Sequence, residues 1–264
     1  MSDGVVEPLR IAMWSGPRNV STAMMRAWEN RGDCAVSDEP FYAHYLAETV
    51  LDHPARDEVI ADGETDWRKV AAAMVGDVPG DQPIWYQKHM CQHMLEHIDH
   101  DWMSGVAHAF LIRDPTEVIS SYLRSRASVT AQDLGLPQEV RLFDEVCDRF
   151  GSAPPVIDSD DFLVDPEAYL RVLCAYFGIP FRDDMLHWRK GPRDSDGIWA
   201  PHWYAAVWNS TGFETQQPRE IRLEGDAARV ADAVRPLYEK LHRHRLQPAT
   251  ATNSIEFAQP DDHR

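Results

Sequence analysis

The segment from position 16 to position 22 combines residue types that bind phosphate-like anions. It connects the apolar run Leu9–Ser15 to a second apolar run that begins at Ser21. Its residues are Gly16, Pro17, Arg18, Asn19, Val20, Ser21 and Thr22. A helix that begins here offers unpaired N–H groups and the positive end of its dipole, and Arg18 adds a permanent charge. The alternative interpretation is an ordinary strand-to-helix turn with Ser21 as the N-cap.

This loop does not match the phosphate loop of a magnesium-dependent nucleotide kinase. The pattern G-x-x-x-x-G-K-S/T requires glycine and lysine at the positions that Ser21 and Thr22 occupy. The missing lysine disfavours ordinary Mg-ATP chemistry. A P-loop-like nucleotide kinase or phosphotransferase is therefore a less favoured alternative. A non-catalytic nucleotide-binding protein of the same fold is the other alternative.

A second pair of candidate anion ligands follows another apolar run. Arg113 comes directly after Ala107–Ile112, and Ser121 lies eight residues further along the chain. Eight residues are a little over two helical turns, so Ser121 lies near the helix face that begins close to Arg113. The two side chains could hold one phosphate between them. The alternative is that Arg113 pairs with Asp114 or Glu117 and that Ser121 is an ordinary polar residue.

Three further residues are candidates for proton transfer or for stabilising charge. Glu39 follows the short run Cys34–Ser37, and a partly buried glutamate can act as a general base near neutral pH. A solvated turn carboxylate is the alternative. Lys88 and His89 follow the run Ile84–Gln87. Lys88 is a candidate second cation, with a plain surface lysine as the alternative, and His89 is a weaker candidate base than Glu39.

His89, His93 and His97 recur at intervals of four residues. On a helix they would form one stripe, and a His-x-x-x-His pair can bind zinc. No fourth ligand is evident in the sequence. A polar helix face is therefore the preferred interpretation, and no metal site is predicted.

Apolar segments of two kinds alternate along the chain. Short runs predict strands at Leu9–Ser15, Cys34–Ser37, Ile84–Gln87, Ala107–Ile112 and Pro155–Asp158. Amphipathic segments predict helices at about 21–30, 116–125, 166–177 and 227–244, the last interrupted at Pro236. The alternation predicts a single α/β domain with a three-layer, P-loop-like fold, in which helices flank a central parallel sheet. Ligands of such sheets bind at the carboxyl ends of the strands.

Composition narrows the possible partners and the compartment. The chain has 26 Lys and Arg against 43 Asp and Glu, a net charge of −17, which argues against a nucleic-acid partner. No apolar run reaches the length of a membrane span, and the N-terminus does not resemble a signal peptide. A cytoplasmic protein without a membrane partner is expected, as a monomer or a homodimer. Residues 1–8 and about 248–264 are expected to be flexible tails.

Together these segments resemble the soluble, bacterial-type sulfotransferases that use 3′-phosphoadenosine 5′-phosphosulfate (PAPS). The loop at 16–22 is similar to the family's 5′-phosphosulfate loop, with Arg18 at the basic position and Val20 where the family usually has glycine. Arg113 and Ser121 match the family's 3′-phosphate arginine and serine at the same spacing. The segment at 158–181 resembles the strand, DP-helix and FGIP portion of these proteins. The late loop that closes over the 3′-phosphate is matched by Arg189, Lys190 and Gly191.

The resemblance implies transfer of a sulfuryl group from PAPS to a hydroxyl or amine of a small-molecule acceptor, with release of adenosine 3′,5′-bisphosphate (PAP). It implies that Arg18, supported by Lys88, stabilises charge on the sulfuryl group. It also implies that Arg113, Ser121 and Lys190 hold the 3′-phosphate. Glu39 is the preferred general base, and His89 is the second candidate. This chemistry requires no metal.

Overall fold

A central sheet of five parallel strands organises the protein in a computed structural model that describes residues 7–124, 126–214 and 220–248. The strands are β1 (Leu9–Ser15), β2 (Cys34–Asp38), β3 (Ile84–Met90), β4 (Ala107–Ile112) and β5 (Val156–Asp158). Their order across the sheet is β2-β3-β1-β4-β5, so β1 lies in the centre. The predicted terminal tails fall almost entirely outside the described residues, and so does position 125 at the end of a predicted helix.

Helices cover both faces of the sheet. They are α1 (Ser21–Glu29), α2 (Tyr42–Glu48), α3 (Arg56–Asp62), α4 (Trp67–Met74), α5 (Pro115–Tyr122), α6 (Leu136–Phe150), α7 (Ser159–Val164), α8 (Pro166–Tyr176), α9 (Ala200–Trp203), α10 (Ala205–Asn209) and α11 (Gly225–His242). Two of them begin in the way that the sequence suggests. Pro115 and Pro166 occupy first-turn positions, and the preceding Asp114 and Asp165 accept hydrogen bonds from the open N–H groups.

Neighbouring residues of β1 belong to different cores, as the two-residue period of a strand requires. Ile11 and Met13 pack with α1, α7 and α8, whereas Ala12 and Trp14 pack with α4, α6 and α11. Because the strand is buried on both faces, its sequence is an almost continuous apolar run. The predicted three-layer, P-loop-like α/β fold is confirmed. No helix within the described ranges is both long enough and apolar enough to cross a membrane.

Two predicted features of these elements, the end of β3 and the interruption at Pro236, are wrong. Strand β3 does not end at Gln87 but runs to Met90, because it pairs with Asp38 of β2 on one side and with Ser15 of β1 on the other. Lys88 and His89 therefore lie inside the strand rather than after it. Helix α11 is not interrupted at Pro236 but continues through it, since buried side chains on both sides of the proline hold the helix against the sheet.

Candidate active site

A cavity of about 160 Å³, here called the site cavity, lies where β1, β2 and β3 end. Its polar wall comes from the loop after β1 and from the ends of the other two strands. Its remaining wall is largely aromatic, formed by Tyr42, Tyr45, Tyr122, Trp199 and Trp203 together with His53. Arg18, Glu39 and Lys88 all line this cavity, and so do Pro17, Asn19, Ser21 and Thr22.

The start of α1 is open to the site cavity. Val20 is the N-cap residue, and no described side chain caps the helix. Ser21 is the first helical residue, so the alternative interpretation of Ser21 as an N-cap is wrong. The orphan N–H groups of the first turn, next to the hydroxyls of Ser21 and Thr22, form an arrangement that fits an anion.

The loop before α1 is shaped by its backbone. Gly16 approaches Leu134 so closely that a Cβ would lie 2.4 Å from the Leu134 carbonyl oxygen, so glycine is required there. Arg18 has a φ of 58°, in the left-handed region, whereas Val20 has a φ of −81°. Valine therefore fits at position 20 without backbone strain, because the left-handed conformation of this loop falls on Arg18. The Asn19 amide donates to the Leu111 carbonyl oxygen at 2.6 Å and fixes the loop to β4.

Arg18 connects the two predicted anion sites. Its Nε donates to Ser121 Oγ at 3.1 Å, and its carbonyl oxygen accepts from Arg113 at 3.0 Å. Burial lowers the pKa of Arg18, and the nearby Arg124 and Arg113 lower it further. Three arginines thus concentrate positive charge beside the open start of α1 in an acidic protein, which favours a multiply charged anion.

Arg113 also contacts acidic side chains. It donates to Glu117 at 3.3 Å, as the alternative interpretation expects, and its Nε lies 3.8 Å from Asp160 Oδ1. The alternative interpretation of Arg113 is met in part by the contact with Glu117, and the same guanidinium also contacts the backbone of the loop before α1. Its predicted contact with a phosphate stays a prediction.

The late segment Arg189–Gly191 packs against other elements. The Gly191 N–H donates to the Trp208 carbonyl oxygen at 2.8 Å, and nearby Arg193 lies 3.7 Å from Glu29 at the end of α1. Lys190 is exposed. Its predicted contact with the same phosphate as Arg113 stays a prediction.

A buried group of four side chains, here called the Lys88 cluster, closes the cavity floor. Lys88 Nζ lies 2.8 Å from Asp38 Oδ1, 2.5 Å from Glu39 Oε1 and 2.8 Å from the Tyr204 hydroxyl. Tyr204 in turn donates to Asp38 Oδ2 at 2.6 Å. All three ammonium hydrogens of Lys88 therefore have acceptors. The alternative interpretations, a surface lysine and a solvated glutamate, are wrong, because the side chains of Lys88 and Glu39 are only 2% and 11% exposed.

Charge within the cluster sets its protonation. Burial acts to lower the pKa of Lys88, but Asp38 and Glu39 outweigh it and hold that pKa well above 10.5, so the ammonium stays charged. Burial raises the pKa of Glu39 above 4.5, and Lys88 opposes this shift. Glu39 also has a left-handed φ of 48°, and its Oε1 accepts from Lys88 at 2.5 Å. A carboxylate with a raised pKa in a cavity can accept a proton from a bound hydroxyl.

His89 lies on the other face of β3, in the apolar core. Its ring stacks on Trp14 at 4.6 Å, and its Nε2 lies 3.2 Å from Gln87 Oε1. Burial lowers the pKa of His89 to about 3. The prediction of His89 as an alternative base is therefore corrected. Neighbouring residues of a strand face opposite sides of the sheet, and Lys88 is the one that reaches the cavity.

His93 reaches the site cavity although the sequence did not indicate it as a proton-transfer residue. Its Nε2 lies 4.0 Å from Glu39 Oε2. The helical stripe of His89, His93 and His97 does not exist, since these residues lie in a strand, a short turn of 3₁₀ helix and a loop. His97 contacts His44 instead, at 3.1 Å. Across the described ranges, no group of three or more His, Cys, Asp or Glu side chains is arranged to hold a metal ion.

The late tryptophans divide between the core and the cavity. Trp188 is part of the core beside α1. Trp199 and Trp203 line the site cavity, while the Trp208 indole donates to Asp196 Oδ2 at 2.9 Å. Two of the four tryptophans thus belong to an apolar wall that could hold the body of a ligand.

Comparison with known proteins identifies a family match over most of the chain. A family model described as "Sulfotransferase domain" matches residues 9–243. Two curated relatives from Arabidopsis thaliana are similar: "Branched-chain-amino-acid aminotransferase-like protein 2", 34% identical over 92% of this chain, and "Branched-chain-amino-acid aminotransferase-like protein 1", 36% identical over 91%. The alignments cover 43% of each relative, so this chain spans less than half of their length. Among solved structures, a sulfotransferase from Alicyclobacillus acidocaldarius is 13% identical with a TM-score of 0.49, covering 90% of this chain and 97% of that chain.

Proposed function

Because the chain belongs to the sulfotransferase domain family, we propose that it transfers a sulfuryl group from PAPS to a hydroxyl, or an amine, of a small-molecule acceptor. One observation carries this proposal. The site cavity combines the uncapped start of α1, the cation Arg18 and the carboxylate Glu39. An anionic donor and a proton-bearing acceptor need these groups side by side.

The donor end of the site consists of the loop before α1, at positions 16–20, and the start of α1. When bound, PAPS supplies the sulfuryl group and leaves as PAP. The N–H groups at the start of α1, with Ser21 and Thr22, bind the 5′-phosphosulfate. Arg18 stabilises the charge that is spread over the sulfuryl oxygens, and it is oriented for this by its hydrogen bond to Ser121.

The 3′-phosphate is held by Arg113 and Ser121. Both contact Arg18, so the residues for the two ends of the donor are mechanically connected. Arg113 exchanges its contact with Glu117 for the phosphate, which is the stronger and more highly charged acceptor. The contribution of Lys190 rests on the sequence resemblance alone.

The acceptor end is the aromatic part of the site cavity. Glu39 is the general base, because its raised pKa brings it closer to neutral pH while Lys88 holds one of its oxygens in place. Lys88 itself has all its donors engaged, so it acts on the reaction through its charge and through the position of Glu39. The rings of Tyr42, Trp199 and Trp203 cover the apolar body of the acceptor.

The test is calorimetry with PAP, AMP and magnesium-ATP side by side. PAP is expected to bind more tightly than AMP, because only PAP places a phosphate on Arg113. Arg113→Ala is expected to abolish this preference at a cost of about 2–4 kcal/mol. Arg149→Ala is the matched control, since Arg149 pairs with Glu145 on α6 and does not line the site cavity.

Two results would contradict the proposal. Equal affinity for PAP and AMP would remove the role of the 3′-phosphate site. Tight, magnesium-dependent binding of ATP with no binding of PAP would favour a nucleotide phosphotransferase.

A further inference from the structure

We propose that the acceptor hydroxyl oxygen binds between Glu39 Oε2 and His93 Nε2, which makes His93 a second catalytic residue of the site. This inference rests on the proposed sulfuryl transfer and adds to it a residue that the sequence indicated only as part of a histidine stripe. It starts from the position of His93, which lines the site cavity next to Glu39.

The distance between the two groups fits one shared oxygen atom. Glu39 Oε2 and His93 Nε2 are 4.0 Å apart, which is too far for a direct hydrogen bond. An oxygen atom placed between them can lie at about 2.8 Å from each. The other carboxylate oxygen, Oε1, already accepts from Lys88 at 2.5 Å, so Oε2 is the one left for an acceptor.

The ring of His93 is held in a fixed orientation. It lies between Tyr42 and Tyr45, with both ring centroids 4.7 Å away, and it is nearly parallel to Tyr42 at an interplanar angle of 3°. Tyr42 is fixed in turn by a 2.8 Å hydrogen bond between its hydroxyl and His53 Nδ1. Only 3% of the His93 side chain is exposed, so the nitrogen facing Glu39 cannot rotate away without displacing its neighbours.

The protonation of His93 follows from its surroundings. Burial lowers its pKa well below 6.5, and the nearby His53, Lys88 and His89 lower it further. The other ionisable groups that face the ring are Glu39, Tyr42 and Tyr45. The ring is therefore neutral at neutral pH and carries one proton.

That proton belongs on Nε2. His93 Nδ1 is buried and has no hydrogen-bond partner among the described residues. A proton on Nδ1 would leave a buried N–H donor unsatisfied, which is rarer in proteins than an unsatisfied acceptor. With the proton on Nε2, His93 donates to the acceptor oxygen, and the hydroxyl of the acceptor is directed at Glu39 Oε2.

The two residues then have different roles in one step. The acceptor oxygen forms a bond to sulfur, and the bond between sulfur and the bridging oxygen of the 5′-phosphate breaks. The hydroxyl proton passes to Glu39 Oε2. His93 keeps its own proton and fixes the lone pair of the attacking oxygen in line with the sulfur.

Kinetics of two variants separate these roles, with phenol and benzyl alcohol as acceptors and PAPS as donor. His93→Phe keeps a ring between the two tyrosines and removes both nitrogens. It is expected to lower kcat/KM for the acceptor about tenfold, to leave PAP affinity unchanged and to keep the acidic limb of the pH–rate profile. His93→Gln, which restores an N–H donor, is expected to recover part of the loss. His97→Phe is the control, because His97 is exposed and lies outside the site cavity.

A crystal structure of the wild-type complex with PAP gives a readout that does not depend on turnover. It is expected to show a water or phenol oxygen within about 3.2 Å of both Glu39 Oε2 and His93 Nε2. An oxygen that touches neither atom overturns the inference, as does unchanged kcat/KM in His93→Phe. Loss of the acidic limb in His93→Phe also overturns it, because His93 would then be the base. Absence of PAP binding in the wild type instead contradicts the proposed function as a whole.

Discussion

Glu39→Gln removes one of the two carboxylates around the Lys88 ammonium and keeps the shape of the side chain. The cluster then contains one cation and one carboxylate, Lys88 and Asp38, so no buried charge is left unbalanced. The glutamine oxygen can still accept from Lys88 at the position that Glu39 Oε1 occupies. The variant is therefore expected to fold and to bind PAP as the wild type does.

The expected loss of activity is large because an acceptor hydroxyl is a poor nucleophile until its proton is being removed. A positioned general base contributes roughly 10²–10⁴-fold, so kcat is expected to fall by that factor, equivalent to about 2.7–5.4 kcal/mol in the activation barrier. Burial raises the pKa of Glu39 above 4.5, and the base must be ionised to act. Wild-type activity is thus expected to decline as the pH falls through this raised pKa, and the decline is expected to be absent in the variant.

The assay is kcat for phenol and benzyl alcohol between about pH 5 and pH 9, with Asp38→Asn as the matched control. Asp38 contacts the same ammonium at 2.8 Å, but it does not line the site cavity. Asp38→Asn is expected to lower the melting temperature, since the Asp38 carboxylate also accepts from Tyr204. It is expected to keep the acidic limb of the pH–rate profile. Near-normal kcat with an unchanged limb in Glu39→Gln would refute the reasoning, and so would loss of the limb in both variants.

Two further outcomes are expected. Transfer should persist in EDTA, because Arg18, Arg113 and Lys88 supply the positive charge; activity that disappears and returns with magnesium or zinc would contradict this. The free energy of unfolding should fall as the pH falls from 6.5 towards about 3, because His89 is neutral in the folded protein but protonated in the unfolded chain. One proton changes this free energy by about 1.4 kcal/mol per pH unit. His89→Phe should reduce that slope in denaturation curves at several pH values, and an unchanged slope would count against the buried neutral ring.

The centre of the sheet could be predicted from the sequence because its signals are local. β1 was expected at Leu9–Ser15 and occurs there, since burial on both faces produces a continuous apolar run. The end of β3 could not be predicted in the same way. Lys88 looks like the end of a strand, and only its pairing with Asp38 and Glu39, about fifty positions away in the chain, explains how a charged residue is buried there.

The histidines show the same limit at the level of the site. The four-residue spacing of His89, His93 and His97 is typical of a helix, and nothing local indicates that β3 continues through the first of them. The contacts that define His93 come from Tyr42, Tyr45 and Glu39, which precede β3 by a long interval. Helix α6, in contrast, carries local signals, with Pro137 in its first turn and Gly151 as its C-cap, and was still absent from the predicted elements.

Arg18 and Glu39 both have a left-handed backbone conformation, which costs stability at positions whose side chains make buried or half-buried contacts. A residue with a side chain adopts this conformation at a cost of about 1–2 kcal/mol, whereas glycine adopts it freely. Glycine would remove this strain at either position, but it would also remove the side chain that contacts Ser121 or the buried Lys88 ammonium. Stabilising substitutions are therefore better sought elsewhere in the chain, because these two positions combine a strained backbone with the side chains that the proposed reaction uses.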